Sequence, residues 1–90
     1  MHHSDDVAQH VLVILRDIAE TDRVTENLDV ALYSTGLLDS FATLTLLLAL
    51  EREFGLSISP ADLDPKNWST PRKIIADVER RLSEQVGASR

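Results

Sequence analysis

Ser40, preceded by Asp39 and by the run Thr35-Gly36-Leu37-Leu38, is the place in this chain where residue types and spacing could do chemistry. It follows a polar stretch and opens an apolar one, Phe41 to Phe54, which puts its hydroxyl at a predicted helix N-terminus. The first N–H groups of a helix have no internal partners, and the dipole there favours negative charge. A phosphodiester on the Ser40 oxygen would meet those donors, each charge–dipole contact being worth about 0.3–1 kcal/mol at an exposed site.

Ser40 is not equipped to be a catalytic nucleophile by itself. A serine hydroxyl needs an adjacent base, and the only histidines, His2, His3 and His10, all lie at the N-terminus. Asp39 is a neighbour but a weak base. Activation must come from another protein, so Ser40 reads as a modification site and the chain as no enzyme. The absence of Cys excludes disulfides and any encoded thiolate. The histidines have no spacing with Asp or Cys that suggests a metal site, and solvated side chains are expected there.

The charge balance narrows the partners. Nine Lys and Arg against fifteen Asp and Glu give a net charge of −6, which repels phosphate backbones and anionic lipid. No apolar run reaches transmembrane length, and the first residues have no signal-peptide pattern, so the expected compartment is the cytoplasm. Ninety residues predict a single domain over 1–90 with an ordered core from about residue 5 to 85, and a monomer. With 4% aromatic residues, aliphatic side chains must fill the interior, which favours an all-α helix bundle.

The elements that position Ser40 follow from periodicity. Val7, Val11, Ile14, Leu15 and Ile18 trace one face of a first helix from Ser4 to Glu20, with Ser4 as its cap. A long loop, Thr21 to Asp39, follows. Its isolated Val24, Leu28, Leu32, Leu37 and Leu38 argue that it is pinned to the core, and Gly36 is expected at positive φ. The next helix runs from Asp39 or Ser40 to Phe54. Leu44, Leu47, Leu48 and Phe54 are assigned to its buried face, with Phe41 and Leu50 adding to it, and Ala42, Thr43 and Thr45 to its outer face. The run Leu46 to Leu50 makes it the most buried helix expected. Gly55 fits a C′ stop with Leu56 folding back on Leu50. Ser59 to Leu63 is a short helical turn, which Asp64-Pro65 breaks. Ser69-Thr70-Pro71 opens the last helix, with Ile74, Ile75, Val78 and Leu82 inward and fraying expected after Gln85.

Gly36-Leu37-Leu38-Asp39-Ser40 resembles the attachment motif of phosphopantetheine-binding acyl and peptidyl carrier proteins. The length, long first loop and short third helix also resemble that family, and the likeness covers nearly the whole chain. Leu32-Tyr33-Ser34-Thr35-Gly36-Leu37-Leu38-Asp39-Ser40-Phe41, Leu46 to Glu51 and Asp64-Pro65-Lys66-Asn67-Trp68-Ser69-Thr70-Pro71-Arg72-Lys73-Ile74-Ile75 are similar to segments of D-alanyl carrier proteins. The resemblance implies an acyl-carrier-protein-like four-helix bundle with three main helices and one short one. It implies a covalent 4′-phosphopantetheine on Ser40, derived from coenzyme A, that bears a D-alanyl, other aminoacyl or small acyl thioester. The implied partners are a phosphopantetheinyl transferase, an adenylating ligase and a downstream acyl or aminoacyl transferase.

Each of these residues also has a plainer reading. Ser40 alone is an ordinary N-cap, and only its setting favours modification. Asp39 either caps the helix or helps hold the modifying enzyme's metal. Leu38, Phe41, Ala42 and Thr45 are the expected partner-binding residues, against core packing for Phe41 and a solvated face for Ala42, Thr43 and Thr45. Fatty-acid carriers place several acids on this helix. Here the acids are Asp39, Glu51 and Glu53, so recognition should lean on shape and apolar contact. Trp68 is expected on the rim of the core with its N–H on a polar group. Arg72-Lys73 reads as solvated charge. The alternatives are a fatty-acid or polyketide carrier, or a helical adaptor with no prosthetic group.

Overall fold

The computed structural model describes the backbone of residues 4–88 and the side chains of residues 6–85. His2 and His3 and the cap expected of the Ser4 side chain lie outside the described residues. Four α-helices follow in order: α1 (Ser4–Ala19), α2 (Arg23–Glu26), α3 (Ser40–Phe54) and α4 (Pro71–Ala88). Two 3-10 turns, Pro60–Asp62 and Pro65–Trp68, bridge α3 and α4. No strand occurs among the described residues. The all-α bundle expected from the sequence is the fold observed.

Val7, Val11 and Leu15 of α1 are buried where their spacing put them, with Ile14 and Ile18 half-buried at the edge of that face. α1 lies against α3, α4 and α2. Glu20 then turns to φ 59°, and its N–H donates to the Arg16 carbonyl at 2.8 Å, closing α1 in a left-handed conformation without glycine.

The segment from Thr21 to Asp39 is more ordered than a loop. It contains α2, whose one buried residue is Val24, and its Val30, Leu32 and Leu38 also enter the core. The Leu38 N–H donates to the Leu32 carbonyl at 3.0 Å, and the Leu32 N–H to the Ser69 carbonyl at 2.9 Å. Gly36 sits at φ 79°, as expected. Arg72, read as solvated charge, instead ties this segment to α4. Its guanidinium reaches both Asp29 carboxylate oxygens at 2.9 and 3.3 Å, and its N–H donates to the Leu28 carbonyl.

Ser59 accepts from the Ala61 N–H and Pro60 opens the first 3-10 turn. Asp64-Pro65 does more than break it. Asp64 accepts from the Lys66 N–H at 3.0 Å and starts the second turn, which carries Trp68. Thr70 accepts from the Lys73 N–H and Pro71 is the first residue of α4. Ile74, Ile75 and Val78 are buried and Leu82 packs at the edge. α4 continues past Gln85 to Ala88, beyond the expected fraying point.

Trp68 is not on the rim of the core but fully buried within it. Its indole N–H donates to the Asp77 carboxylate at 2.8 Å, and Arg81 Nε and Arg80 reach the same carboxylate at 2.9 and 2.6 Å. This satisfies a buried acid whose desolvation would otherwise be costly.

Candidate functional site

α3 begins because Asp39, extended at φ −130° and ψ −174°, turns its carboxylate onto the Ala42 N–H at 2.8 Å. That is the cap expected of it, and it satisfies one orphan donor of the first turn. The Asp39 carbonyl receives two further donors, the Thr43 N–H at 2.9 Å and the Thr43 hydroxyl at 2.7 Å. Ser40 is the next residue, and its side chain is exposed and makes no hydrogen bond among the described residues. The bond to the cap leaves the N–H groups of Ser40 and Phe41 as the uncommitted donors of the helix start. At the other end, Gly55 at φ 66° and Leu56 both donate to the Glu51 carbonyl, and Leu56 is buried in the core.

The phase of α3 differs from the one assigned by its leucines. Thr43, Leu46, Leu47, Leu50 and Phe54 face inward. Phe41 is 80% exposed, Leu44 47% and Leu48 57%. The Leu46 to Leu50 run is apolar on every side and does not fix a phase, so a polar residue, Thr43, completes the inner face. Hence α3 is not sealed in the core. Its outer side carries an apolar stripe that starts one residue after Ser40 and descends at helical spacing. Contiguous exposed apolar surface of this kind marks contact sites.

The residues expected to meet partners therefore divide. Phe41 and Thr45 are exposed and Ala42 is half-buried beside them. Leu38 does not belong with them. It is 2% exposed and packs in the core, because its N–H bond to Leu32 turns it inward. Leu44 and Leu48, assigned to the interior, take its place on the surface. Thr43, assigned to the outer face, is buried and bonded to the Tyr33 hydroxyl at 2.8 Å.

Two acids of α3 are engaged within the bundle. Glu51 accepts from the Ile58 N–H at 2.6 Å, and Glu53 lies 3.5 Å from His10 Nδ1. His10 is thus not a freely solvated side chain, since its ring also stands 6.0 Å from that of Phe54. This places it at the far end of α3 from Ser40, about 20 Å along the axis at 1.5 Å per residue. It cannot serve Ser40 as a base. No group of three or more His, Cys, Asp or Glu among the described residues is placed to hold a metal ion. No described helix is long and apolar enough to cross a membrane.

The helical bundle offers an uncommitted serine hydroxyl at a helix start, with no histidine near it among the described residues and an apolar stripe alongside, an arrangement suited to a carrier. Residues 9–78 match the model of the phosphopantetheine attachment site family, and the chain belongs to that family. It is similar to the D-alanyl carrier protein of Lacticaseibacillus rhamnosus, at 50% identity over 70 residues, covering 78% of this chain and 86% of the relative. The D-alanyl carrier protein of Enterococcus faecalis is 43% identical over 74 residues, 82% of this chain and 95% of its own. That of Listeria monocytogenes is 39% identical over 71 residues, 79% and 91% respectively.

The prosthetic group of this family is a covalently attached 4′-phosphopantetheine. The residues present fit it. The exposed Ser40 hydroxyl is free to take a phosphate, and the free amides and dipole of α3 favour the charge it brings. The membership favours an aminoacyl carrier over an adaptor with no prosthetic group. It also implies a transferase that installs the group and a ligase that loads it.

Sequence reasoning missed Tyr33 and Asp77. Asp77 had a signal: it lies between Ile74 and Val78 on the inward face and precedes Arg80 and Arg81 at i,i+3 and i,i+4 spacing. A buried tryptophan nearby needed an acceptor. Tyr33 had none, because its partner lies in an element whose phase the sequence leaves open.

Proposed function

We propose that Ser40 is the residue to which the 4′-phosphopantetheine is joined, and that the load is D-alanine. The observation that carries the first half is the free, exposed Ser40 Oγ at the head of a firmly capped helix. The second half rests on the similarity to proteins named as D-alanyl carriers. Ser40 Oγ gives its proton to the modifying enzyme's base and takes the pantetheinyl phosphate of coenzyme A, with adenosine 3′,5′-bisphosphate leaving. The Ser40 and Phe41 amides favour the resulting negative charge. When bound, the group supplies a terminal thiol that holds the acyl load as an activated thioester.

The chain itself catalyses no step. Phe41, Leu44 and Leu48, with Ala42 and Thr45 beside them, form the docking face for the transferase, the ligase and the protein that takes the load onward. Asp39 serves as cap. Both installation and loading draw on coenzyme A and ATP, so we place the carrier in the cytoplasm. Intact mass decides the proposal. Incubated with coenzyme A and a broad-specificity phosphopantetheinyl transferase, the wild type gains one phosphopantetheine and Ser40→Ala gains none. A gain that persists in Ser40→Ala would misplace the site. With a D-alanine-activating ligase and ATP the modified carrier gains one alanyl group, and an exclusive load of fatty acid would refute the cargo.

A further inference from the structure

The hydrogen bonds around Thr43 have only one possible direction. A threonine hydroxyl carries a single proton. At 2.7 Å from the Asp39 carbonyl, which can only accept, the Thr43 hydroxyl must donate. The Tyr33 hydroxyl, 2.8 Å from Thr43 Oγ1, must therefore be the donor to it. The chain of bonds runs Tyr33 O–H to Thr43 O–H to Asp39 C=O, and it ends on the peptide group that Asp39 shares with Ser40.

Tyr33 is itself held. Its neighbour Leu32 is fully buried and donates to the Ser69 carbonyl at the foot of α4. The turn closes behind it, with the Gly36 N–H donating to the Tyr33 carbonyl at 3.1 Å and the Leu38 N–H to the Leu32 carbonyl at 3.0 Å. Thr43 sits on the inner face of α3, in contact with the core. The relay thus joins the segment before Ser40 to the helix after it. Ser40 is flanked on both sides by residues that are tied together, while its own side chain is left free.

We propose that Tyr33 is a positioning residue for the modification of Ser40, acting through Thr43 on the Asp39–Ser40 peptide. This rests on Ser40 being the attachment point. The relay fixes the backbone from which the hydroxyl projects, so that the modifying enzyme meets it already oriented rather than having to order it. Docking uses the outer stripe of α3 and does not involve the relay. Losing the relay therefore lowers the rate in the bound complex and leaves carrier affinity nearly unchanged.

The test uses Tyr33→Phe, which removes one oxygen from a half-buried ring, with Thr43→Val and the hydroxyl-retaining Thr43→Ser. The first readout is amide hydrogen exchange on the unmodified proteins, which needs no transferase. The second is transferase kinetics with the carrier as varied substrate. Tyr33→Phe is expected to speed exchange at the Ala42 and Thr43 amides selectively. It is expected to lower kcat about three- to tenfold, the size of one lost hydrogen bond, with KM within about twofold. Thr43→Ser should keep at least about half of wild-type kcat, and Tyr33→Phe combined with Thr43→Val should be no slower than Thr43→Val alone. Unchanged exchange in Tyr33→Phe, or faster exchange with wild-type kcat, would overturn the proposal. So would a loss carried by KM, or faster exchange spread evenly over all of α3. If the wild type takes no phosphopantetheine, the reading of Ser40 fails, and the positioning role fails with it. The exchange data then still report whether the relay exists.

Discussion

The indole N–H of Trp68 donates to the Asp77 carboxylate at 2.8 Å, and both side chains are buried. One belongs to the second 3-10 turn and the other to α4, so this bond locks that turn onto the helix that follows it. Asp77→Ala leaves the indole N–H without its acceptor and Arg81 without its partner. The expected cost is about 2–4 kcal/mol, the range for breaking a buried, charged hydrogen-bond set. Trp68→Phe removes the donor but leaves Asp77 with both arginines, and should cost less. Urea unfolding of the two variants checks this, and equal stability of Asp77→Ala and wild type would contradict it.

The same carboxylate makes stability depend on pH. Burial pushes the Asp77 carboxyl up, but the hydrogen bonds from Trp68, Arg81 and Arg80 outweigh it and hold the group below the usual carboxylate range. Its folded pKa is thus lower than the unfolded value of about 3.9. Between the two values the unfolded chain binds more protons, so stability rises with pH. The contribution is complete above about pH 5 and is lost as pH falls below about 4 toward the folded value. The gap in urea midpoint between wild type and Asp77→Asn should accordingly be wide at neutral pH and narrow in acid. A gap independent of pH would show that the charge is not what stabilises.

Two left-handed positions make opposite predictions. Gly55 is at φ 66° with nothing within 4 Å of where a Cβ would stand, so Gly55→Ala suffers conformational strain alone, about 1–2 kcal/mol. Glu20, at φ 59°, already bears that strain. Glu20→Gly should stabilise by about 0.5–1 kcal/mol, the relief being partly offset by the greater freedom glycine gives the unfolded chain. Thermal melts of the pair should move in opposite directions.

Asp39 can be separated into cap and charge. Asp39→Ala loses the bond to the Ala42 N–H and should cost about 0.5–2 kcal/mol. Asp39→Asn keeps an acceptor in place and should cost little, since asparagine caps about as well. If modification by the transferase slows in both variants alike, the charge itself matters to the modifying enzyme. If only Asp39→Ala slows, capping is the whole of its role.

The outer stripe gives a prediction of the opposite kind. Phe41→Ala and Leu48→Ala remove side chains that are mostly in solvent, so stability should stay within about 0.5 kcal/mol of wild type. Loading by the ligase should nevertheless weaken, with KM rising several-fold. Unchanged loading in the double variant would remove the docking face.

How much of this could be read from the sequence depended on how local the cause was. The Asp39 cap, the Gly36 and Gly55 turns and the Thr70-Pro71 helix start are set within a few residues, and all were legible. The orientation of α3 was not, because five consecutive apolar residues carry no periodicity and the choice between Thr43 and Leu44 as inner residue is made by tertiary contact. α2 was missed because four residues are too few for a periodic signal. The Arg72–Asp29 pair, 43 residues apart, leaves no mark in a local window. The exposed place of Ser40 at the helix start was legible, but the Tyr33–Thr43–Asp39 hydrogen bonds beside it were not.

Glu51 is engaged by the Ile58 amide and Glu53 lies beside His10 at the far end of α3, while the exposed side of the helix below Ser40 carries Phe41, Leu44 and Leu48. Handover between enzymes should then be nearly indifferent to ionic strength. A carrier steered by a carboxylate row loses its on-rate as salt screens it; one that docks through the proposed apolar stripe should keep its pace in brine.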